Sequence, residues 1–323
     1  MKKKGSIVTI GVFDGVHLGH RVIIRKAIEE AKRYGLTVHI LSIIYPFDYY
    51  RENFRGLIIT PSERLEKLED LGIDLITFLD LVEIKDMHPE DFVKNILLKL
   101  VQAVKVIVGH DFKFGKDKKG DINFLRFLGN KHGFSVREIP PIYHKNVRIS
   151  STLIRELISC GRVEEARELL GEPYFISGVV IEGRKFGRKL GFPTINIKRP
   201  QERLVVPKNG VYIVRVKISD GYFPGVMNIG MTPTISDDYR LKYEIHLLDF
   251  NGDLYNKKVT VQLLKFLREE EKFRSIDELK EKIKEDVDKA REYFLLNGNN
   301  VGEVQEIEVQ TDSDRSRWYI VER

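Results

Sequence analysis

The sequence predicts two domains: an α/β domain with a doubly wound parallel sheet, and then a small antiparallel β-barrel with a C-terminal helix. The first prediction rests on apolar runs of strand length that alternate with helical patterns over residues 1–171. The second rests on short alternating runs, separated by turn residues, over residues 174–296. A chain of 323 residues is long enough for two such hydrophobic cores.

The first half has the alternation of a Rossmann-like fold. Its apolar runs are Ile7–Ile10, Val38–Ile44, Leu75–Leu79, Val104–Val108 and Phe134–Ile139. Its helical patterns are Val22–Arg33, Pro61–Leu71, Pro89–Val101, Asp121–Lys131, Ser151–Ser159 and Val163–Leu170. Thr60 and Glu63 flank the start of the second helix as a capping box, with Pro61 at the first helical position. Continuous apolar runs are typical of strands that are buried on both faces.

The chain changes character after Gly171-Glu172-Pro173. The strands predicted beyond this point include Phe175–Ile181, Gly210–Ile218, Lys242–Phe250 and Lys258–Leu264. Asp220-Gly221 and Asn251-Gly252-Asp253 are typical of hairpin turns. These short strands predict the barrel.

The end of the chain divides into a helix and a polar tail. The amphipathic pattern predicts a helix over Ser275–Leu295, in which Ser275 is the N-cap and Glu278 completes a capping box. Residues 297–323 are polar, and we expect a flexible tail there. The alternative is an edge strand that includes Ile307 and Val309.

Composition narrows the function classes. The net charge is +6, but the Lys and Arg residues are dispersed among Glu, which favours phosphorylated small molecules over nucleic acid as ligands. No apolar run approaches the roughly 18 residues that a membrane span needs, and the basic first residues lead into no secretory signal. A single cysteine, Cys160, excludes an internal disulfide and predicts a cytoplasmic protein. We expect no membrane attachment and no obligate protein partner.

The most informative motif is Gly11-Val12-Phe13-Asp14-Gly15-Val16-His17-Leu18-Gly19-His20, at a predicted strand-to-helix junction. Imidazole donors and free amides at a helix N-terminus stabilise the charge that develops on a phosphate. The pattern therefore predicts a nucleotide phosphate site without a P-loop. The alternative is that His17 and His20 are ordinary loop histidines.

Two later segments reach the same edge of the predicted sheet. The first, which contains His110 and Asp111, follows the strand that ends near Val108. The second is Ile149-Ser150-Ser151-Thr152-Leu153-Ile154-Arg155, which opens a helix with hydroxyls and a cation. Ligands of open α/β sheets bind at the carboxyl ends of the strands, so we expect one shared cleft. Plain N-capping is the alternative for Ser150 and Ser151.

The second half holds a glycine-rich cationic loop. Gly183, Gly187, Lys189 and Gly191 belong to this loop, which suits a polyphosphate. The loop runs into Thr194 and Asn196, which are two residues apart and face the same side of a strand. Their hydroxyl and amide oxygens are suitable ligands for Mg²⁺. A basic hairpin turn is the alternative.

Glu244 lies within a predicted strand, between apolar and aromatic neighbours. A half-buried carboxylate on a barrel wall suits a general base. The alternative is a structural ion pair with Lys242 or another neighbour.

In this order, the motifs resemble those of the bifunctional prokaryotic riboflavin kinase/FMN adenylyltransferase family, also called bifunctional FAD synthetases, over about residues 5–293. The resemblance implies an enzyme that phosphorylates riboflavin to FMN with ATP and then adenylylates FMN with ATP to give FAD and pyrophosphate. It also implies Mg²⁺ as the cofactor and small molecules as the substrates.

The resemblance assigns roles residue by residue. In adenylylation, His17 and His20 would contact ATP phosphates, and Asp111 would lie near the flavin and the nucleotide. The other residues implied to bind ATP there are Gly11, Phe13, Asp14, Gly19, Ser150, Ser151, Thr152 and Arg155. In the kinase, Thr194 and Asn196 would organise Mg-ATP, Glu244 would deprotonate the riboflavin 5′-hydroxyl, and Arg268 would contact the flavin.

Two positions depart from the family pattern. Ile195 replaces the Ala of Pro-Thr-Ala-Asn, and we expect its side chain to face away from Thr194 and Asn196. The usual Pro-His-Pro after the second strand is replaced here by Tyr45-Pro46-Phe47-Asp48-Tyr49-Tyr50, whose aromatic rings suit stacking on a base or a flavin.

Two rival interpretations follow from the same residues. A different nucleotidyltransferase would share the paired histidines but leave the second half unexplained. A flavin-binding or nucleic-acid-binding regulator would require that one or both sites have decayed.

Overall fold

The structure is a computed structural model, which describes residues 5–183, 186–219, 221–233, 239–298, 307–312 and 316–322. The chain divides into two units. The first comprises Met1–Leu153 and Glu306–Arg323, and the second comprises Ile154–Gln305.

The first unit is built on a parallel sheet. Its strands are β1 (Ser6–Gly11), β2 (Thr37–Ile43), β3 (Leu75–Leu79), β4 (Ala103–Gly109) and β5 (Ser135–Ile139). They pair in the order β3-β2-β1-β4-β5, and every pairing is parallel. The predicted doubly wound sheet is confirmed. The strand order reverses between β1 and β4, so the segments that follow Gly11 and Gly109 border the ligand crevice of this fold type.

Helices cover this sheet. They are α1 (Leu18–Tyr34), α2 (Pro61–Glu69), α3 (Leu81–Ile84), α4 (Pro89–Phe92) and α5 (Ile122–His132). The capping box at α2 is present, because Thr60 Oγ1 accepts the Glu63 amide at 3.1 Å and the Glu63 carboxylate accepts the Thr60 amide at 2.8 Å. The single helix predicted over Pro89–Val101 is instead α4 followed by a π-helical segment, Val93–Leu100.

The three central strands of the sheet, β1, β2 and β4, are mainly buried. Val8, Leu41 and Val106 pack with Leu97 of the π-helical segment and Leu125 of α5 in one cluster. The apolar side of α1, which includes Ile24 and Ala27, is also buried. This arrangement explains why the strand sequences are continuously apolar rather than alternating.

The second unit contains the predicted barrel. Its strands are β8 (Phe175–Ile181), β9 (Ile195–Lys198), β10 (Gly210–Ile218), β11 (Gly221–Pro233), β12 (Tyr239–Leu247) and β13 (Lys258–Arg268). They close in the order β10-β11-β12-β9-β8-β13, with antiparallel pairing throughout. Short helix α8 (Phe186–Leu190) lies between β8 and β9, and long helix α9 (Ile276–Asn297) follows β13.

One predicted hairpin is wrong. Asn251-Gly252-Asp253 connects β12 to β13, but these strands do not pair, because β12 pairs with β11 and β9 while β13 pairs with β10 and β8. The turn at Asp220-Gly221 connects two paired strands, although Asp220 itself lies outside the described residues.

Val287 and Ala290 of α9 pack with Val211 and Leu264 of the barrel.

The boundary between the units lies earlier than the one expected from the sequence. Helix α6 (Ser151–Ser159) crosses into the second unit at Ile154, and α7 (Val163–Leu170) belongs wholly to that unit. The sequence pattern predicts both helices for the first domain, residues 1–171. The physical reason for the difference is that α7 packs against β13, and the carbonyl of Ile158 accepts the Lys208 amide at 3.3 Å.

For residues 297–323 we expected a flexible tail or, as the alternative, an edge strand that includes Ile307 and Val309. The structure has two strands there, β14 (Ile307–Thr311) and β15 (Trp318–Glu322), of which β14 contains both residues. These strands join β6 (Ile142–His144) and β7 (Val147–Arg148) in a sheet of order β14-β15-β6-β7. The physical reason is a pairing with residues about 175 positions earlier in the chain, which local composition does not encode.

Candidate active sites in the two units

The first candidate site begins at the β1–α1 connection. Backbone φ is positive at Phe13 (53°), Gly15 (82°) and Val16 (44°). A branched residue such as Val16 is strained in this region, and strain of this kind is concentrated at functional sites. The sharp turn brings the chain from Gly11 to the start of α1 within a few residues.

The paired histidines lie together at this helix start. Nδ1 of His17 accepts the backbone N–H of His20 at 3.2 Å and so caps α1. The two imidazole rings stack with centroids 3.5 Å apart, and Phe13 contacts the His20 ring edge-on at 5.3 Å. A Cβ at Gly19 would lie 3.2 Å from Cε1 of His17, so glycine leaves room for the capping ring.

The hydrogen bond at Nδ1 fixes the tautomer of a neutral His17 ring. Since Nδ1 is an acceptor, a neutral ring carries its proton on Nε2 and can donate it to a phosphate oxygen. His17 is buried, whereas His20 is only partly buried.

Asp14 organises the loop. Its buried carboxylate accepts the amides of Ile58 at 3.0 Å and Ile59 at 3.2 Å. Its backbone carbonyl accepts Ser151 Oγ at 3.1 Å. The carboxylate of Asp14 is thus held by backbone donors, and the residue ties the loop before α1 to the start of α6.

Ser150 and Ser151 form the serine segment, which caps α6 and contacts the loop before α1. Ser150 Oγ accepts the Leu153 amide at 3.3 Å, so the N-capping alternative applies to this residue. Thr152 is exposed, and Arg155 lies one turn further along α6, in the second unit.

Asp111 follows β4, as the sequence predicts, and it has a partner that the sequence analysis missed. Arg148 at the end of β7 donates to its carboxylate at 2.8 Å, and both side chains are largely exposed. Neighbouring His110 has its pKa lowered, chiefly by burial. Nothing in the local sequence around Arg148 indicates this pairing, because it joins a strand residue to a turn that follows a strand of another sheet.

A second missed residue is Arg64 of α2. Its guanidinium is buried and donates to the carbonyls of Val12, Ile43 and Ile44, the last at 2.6 Å. Burial lowers its pKa to about 10. Arg64 therefore clamps the chain just beyond the ends of β1 and β2, at the rim of the crevice. The sequence offered one signal for this role, since Arg64 lies on the apolar side of the helix predicted over Pro61–Leu71.

Aromatic rings occupy the position of the absent Pro-His-Pro. Tyr45 and Tyr49 stack at 4.2 Å, and Tyr50 contacts both rings at an edge. Phe47 is exposed, with Lys118 Nζ 4.9 Å from its ring centre. Phe47 and Tyr50 are the exposed rings of this cluster, and their stacking on a base or a flavin stays a prediction.

The second candidate site lies on β9 and β12 of the barrel. Asn196 is directly opposite Glu244 in the strand register, and Thr194 Oγ1 donates to the Glu244 carboxylate at 3.0 Å. Lys242 Nζ lies 2.9 Å from the other carboxylate oxygen, so the predicted ion pair is present beside the predicted constellation. The side chain of Glu244 is 24% exposed, which leaves it accessible to a substrate.

The glycine-rich loop lies against these residues. A Cβ at Gly183 would be 2.1 Å from Nδ2 of Asn196, and one at Gly187 would be 2.4 Å from the Phe192 carbonyl. The backbone therefore approaches the Thr–Asn pair as closely as glycine permits. Lys189 and Gly191 are exposed. The loop residues Arg184 and Lys185 lie outside the described residues.

Ile195, the first residue of β9, pairs with Ile245 and lies between Thr194 and Asn196. Successive side chains of a strand point to opposite faces, so Ile195 faces away from Thr194 and Asn196.

Arg268 has a partner within the protein that the sequence did not indicate. Its guanidinium binds the buried carboxylate of Asp286 on α9 through Nε at 3.1 Å and Nη2 at 2.8 Å. Its contact with the flavin stays a prediction. Residues Glu269–Glu271 are exposed, and Glu270 accepts a hydrogen bond from Asn228 at 3.2 Å.

A cavity of about 650 Å³ opens elsewhere on the barrel, and its walls include Arg199, Leu241 and Tyr243. Tyr243 immediately precedes Glu244 on β12, so the two side chains face opposite sides of the strand. The cavity is therefore separate from the Thr194–Glu244 pair, and the candidate site is identified by its polar chemistry rather than by its depth.

Comparison with known proteins places this geometry in context. A riboflavin kinase profile matches residues 170–294, and an FAD synthetase profile matches residues 1–153. The bifunctional riboflavin kinase/FMN adenylyltransferase of Buchnera aphidicola (subspecies Acyrthosiphon pisum) is 36% identical over 91% of this chain and 95% of its own length. The protein of the same description from Escherichia coli K12 is 36% identical over 91% of this chain and 94% of its own length.

A solved structure shares the fold. A crystal structure described as a macrolide-efflux protein from Streptococcus pneumoniae superimposes with a TM-score of 0.80, at 30% identity, over 90% of this chain and 95% of its own. Within the described ranges of the present chain, no helix has the length and apolar character to cross a membrane. The two profile matches and the full-length relatives show that the chain belongs to the family of bifunctional riboflavin kinase/FMN adenylyltransferases.

Proposed function

We propose that each activity of this family is carried out within one unit of the chain. The second unit phosphorylates riboflavin to FMN with ATP, and the first transfers AMP from a second ATP to FMN, giving FAD and pyrophosphate. The observation that carries the proposal is the hydrogen bond from Thr194 to Glu244, beside Asn196 and the glycine-rich loop. A hydroxyl, an amide and a carboxylate converge there on a half-buried surface, next to a backbone suited to phosphates.

In the kinase reaction, the Glu244 carboxylate accepts the proton of the riboflavin 5′-hydroxyl. The freed oxygen forms a bond to the γ-phosphorus of ATP, and the bond from that phosphorus to the bridging oxygen breaks, so that ADP leaves. Thr194 orients the base by donating to one carboxylate oxygen, and Lys242 holds the other. Such positioned proton transfer contributes about 10²–10⁴-fold to a rate.

The oxygens of this site fit Mg²⁺, which prefers oxygen ligands and usually retains waters and nucleotide phosphates in its coordination. Thr194 and Asn196 are the residues that we expect to hold the ion with ATP. When bound, Mg²⁺ neutralises charge on the phosphates of the nucleotide.

In the adenylyltransferase reaction, no covalent enzyme nucleophile is needed. A phosphate oxygen of FMN attacks the α-phosphorus of ATP, and pyrophosphate departs with the electrons of the broken P–O bond. Nε2 of His17, and His20 beside it, donate to the phosphate oxygens that gain charge. The N-terminus of α1 adds its free amides, and Asp14 and Ser151 keep the loop in place.

The proposal places both reactions in the cytoplasm, with small molecules as the only ligands required. The test is to incubate the purified chain with riboflavin, ATP and Mg²⁺ and to separate the flavins by chromatography. We expect FMN first and then FAD. Absence of both flavin products, with transfer from CTP or to another acceptor, would instead identify a different nucleotidyltransferase. Riboflavin binding without ATP turnover would identify a flavin-binding regulator.

A further inference from the structure

The C-terminal strand pair of the first unit is not explained by either activity. Strands β14 and β15 lie beyond both profile matches, which end at residues 153 and 294. They nevertheless belong to the unit that contains His17 and His20, because residues 306–323 cluster with residues 1–153.

The pair is attached through β15. Trp318 and Tyr319 pair in parallel with Ile142 and Tyr143 of β6, and the Trp318 amide donates to the Pro141 carbonyl at 3.1 Å. The rings of Tyr319 and Tyr143 have centroids 5.7 Å apart.

Other contacts reinforce this attachment. The guanidinium carbon of Arg317 lies 5.4 Å from the centre of the Tyr143 ring, within the range of a cation–π contact. Ile320 is 8% exposed, so the strand also buries an apolar side chain. On its other side, β15 pairs along its whole length with β14.

Strand β6 is one arm of a hairpin that leads to the adenylyltransferase site. The turn residues Lys145 and Asn146 have φ of 45° and 65°, which is typical of a tight two-residue turn. The second arm, β7, ends at Arg148, which donates to Asp111. The amide of the next residue, Ile149, donates a hydrogen bond to the Ile142 carbonyl at 2.9 Å.

Ser150 and Ser151 follow directly, and Ser151 donates to the Asp14 carbonyl. The hairpin thus precedes the serine segment and carries Arg148. A two-stranded hairpin is marginally stable alone, whereas four paired strands are much more rigid.

We propose that β14 and β15 act as a brace that positions the β6–β7 hairpin for FMN adenylylation, so that Arg148 and the serine segment are in place before the substrates bind. The inference rests on the proposed function of the first unit. A preorganised site binds its ligand more tightly because less ordering is needed on binding. Arg148 donates to Asp111, the residue that we expect near the flavin, so loss of the brace raises the KM for FMN. Riboflavin phosphorylation in the second unit is unchanged.

The experiment replaces Ile320 by Asp in the full-length chain, which places a charge where the strand is buried. The matched control is Gln310→Asp, which adds the same charge at an exposed position of β14. Ile320→Val is the conservative variant, and Tyr319→Ala is a milder test that removes the ring contact with Tyr143. Each protein is assayed for FMN formation, for the KM of FMN in FAD formation, and for amide hydrogen exchange over residues 142–149.

We expect Ile320→Asp to raise the KM for FMN about tenfold with little change in kcat, as loss of uniform binding does. Exchange over residues 142–149 becomes faster, and Tyr319→Ala shows the same changes to a smaller degree. Gln310→Asp and Ile320→Val behave as the unmodified chain, and FMN formation in the same preparation shows that the second unit is folded.

If Ile320→Asp has faster amide exchange over residues 142–149 but an unchanged KM for FMN, the brace proposal is overturned and the proposed function of the first unit is not. Equal exchange in the unmodified chain and in Ile320→Asp also overturns it. If the unmodified chain makes no FAD at all, the proposed function fails, and the brace proposal fails with it.

Discussion

Glu244 is the residue whose replacement tests the kinase assignment most directly. Glu244→Gln removes the proton acceptor but keeps an oxygen that can accept the hydroxyl of Thr194, now 3.0 Å from the carboxylate. The change also removes the ion pair with Lys242, whose Nζ lies 2.9 Å from the second oxygen. The two effects differ enough in size to be separated.

The cost to folding is small. The side chains of Lys242 and Glu244 are 32% and 24% exposed, and partly exposed ion pairs of this kind contribute about 0.2–1 kcal/mol. The cost to catalysis is larger, because loss of a positioned base lowers a rate by about 10²–10⁴-fold. At about 1.36 kcal/mol for each factor of ten, this corresponds to roughly 2.7–5.4 kcal/mol of transition-state stabilisation.

The assay follows FMN formation from riboflavin, and FAD formation from supplied FMN, by chromatography. We expect Glu244→Gln to lose FMN formation and to keep FAD formation. Lys242→Gln is the matched control, because it removes the same ion pair and leaves the carboxylate. Equal losses of FMN formation in the two variants would refute the assignment of Glu244 as the base, since the ion pair alone would then explain the effect. So would a loss below about tenfold in Glu244→Gln.

Three further predictions test other parts of the molecule. His20→Ala lowers FAD formation by about 10²-fold or more and spares FMN formation, because one donor to the phosphates is lost. Gly183→Ala lowers FMN formation by about 10²-fold, because its Cβ would lie 2.1 Å from Nδ2 of Asn196 and must displace it. Glu30→Gln lowers the free energy of unfolding by about 2 kcal/mol at pH 7 in urea titrations. Hydrogen bonding to Lys105 is the main cause that lowers the pKa of Glu30 below 4.5, so its stabilisation is lost as the pH falls below 4.5.

Each of these variants has a control of the same residue type elsewhere in the chain. His132→Ala changes a histidine in the last turn of α5 and leaves FAD formation intact. Gly109→Ala places a Cβ 3.4 Å from its nearest contact, an ordinary distance, and leaves FMN formation intact. Glu29→Gln alters a partly exposed pair with Lys26 and lowers the free energy of unfolding by less than about 1 kcal/mol. A control that loses as much as its partner variant would contradict the corresponding prediction.

The parts of the fold that the sequence predicts are those that local patterns encode. Leu75–Leu79, Phe175–Ile181 and Gly210–Ile218 were predicted with the bounds that the structure has. Their apolar runs are limited on each side by turn residues, so periodicity and chain breakers agree. At Asn251-Gly252-Asp253 the same turn chemistry led to a wrong hairpin, because turn residues alone do not specify which strands pair.

In the candidate sites too, local spacing predicts some contacts and strand pairing decides the others. His17 and His20 are three residues apart at a helix start, and Thr194 and Asn196 are two apart near a strand, so spacing alone brings each pair together. Glu244 joins Asn196 through the strand register, across nearly fifty residues, and only the family resemblance favoured it over an ion pair.

Arg64 and Arg148 were missed for a physical reason that also applies to the tail. The partners of Arg64 are carbonyls of a loop and of the chain beyond β2, and the partner of Arg148 is an exposed carboxylate 37 positions earlier. β15 likewise gains its stability from pairing with β6, not from its own composition. Such interactions depend on the assembled fold, so the sequence around each residue does not identify its partner. Arg148 lies on the β6–β7 hairpin, and β15 pairs with this hairpin. Arg148 and β15 were each missed in the sequence, but both act on the same region of the first unit, the side where Asp111 lies.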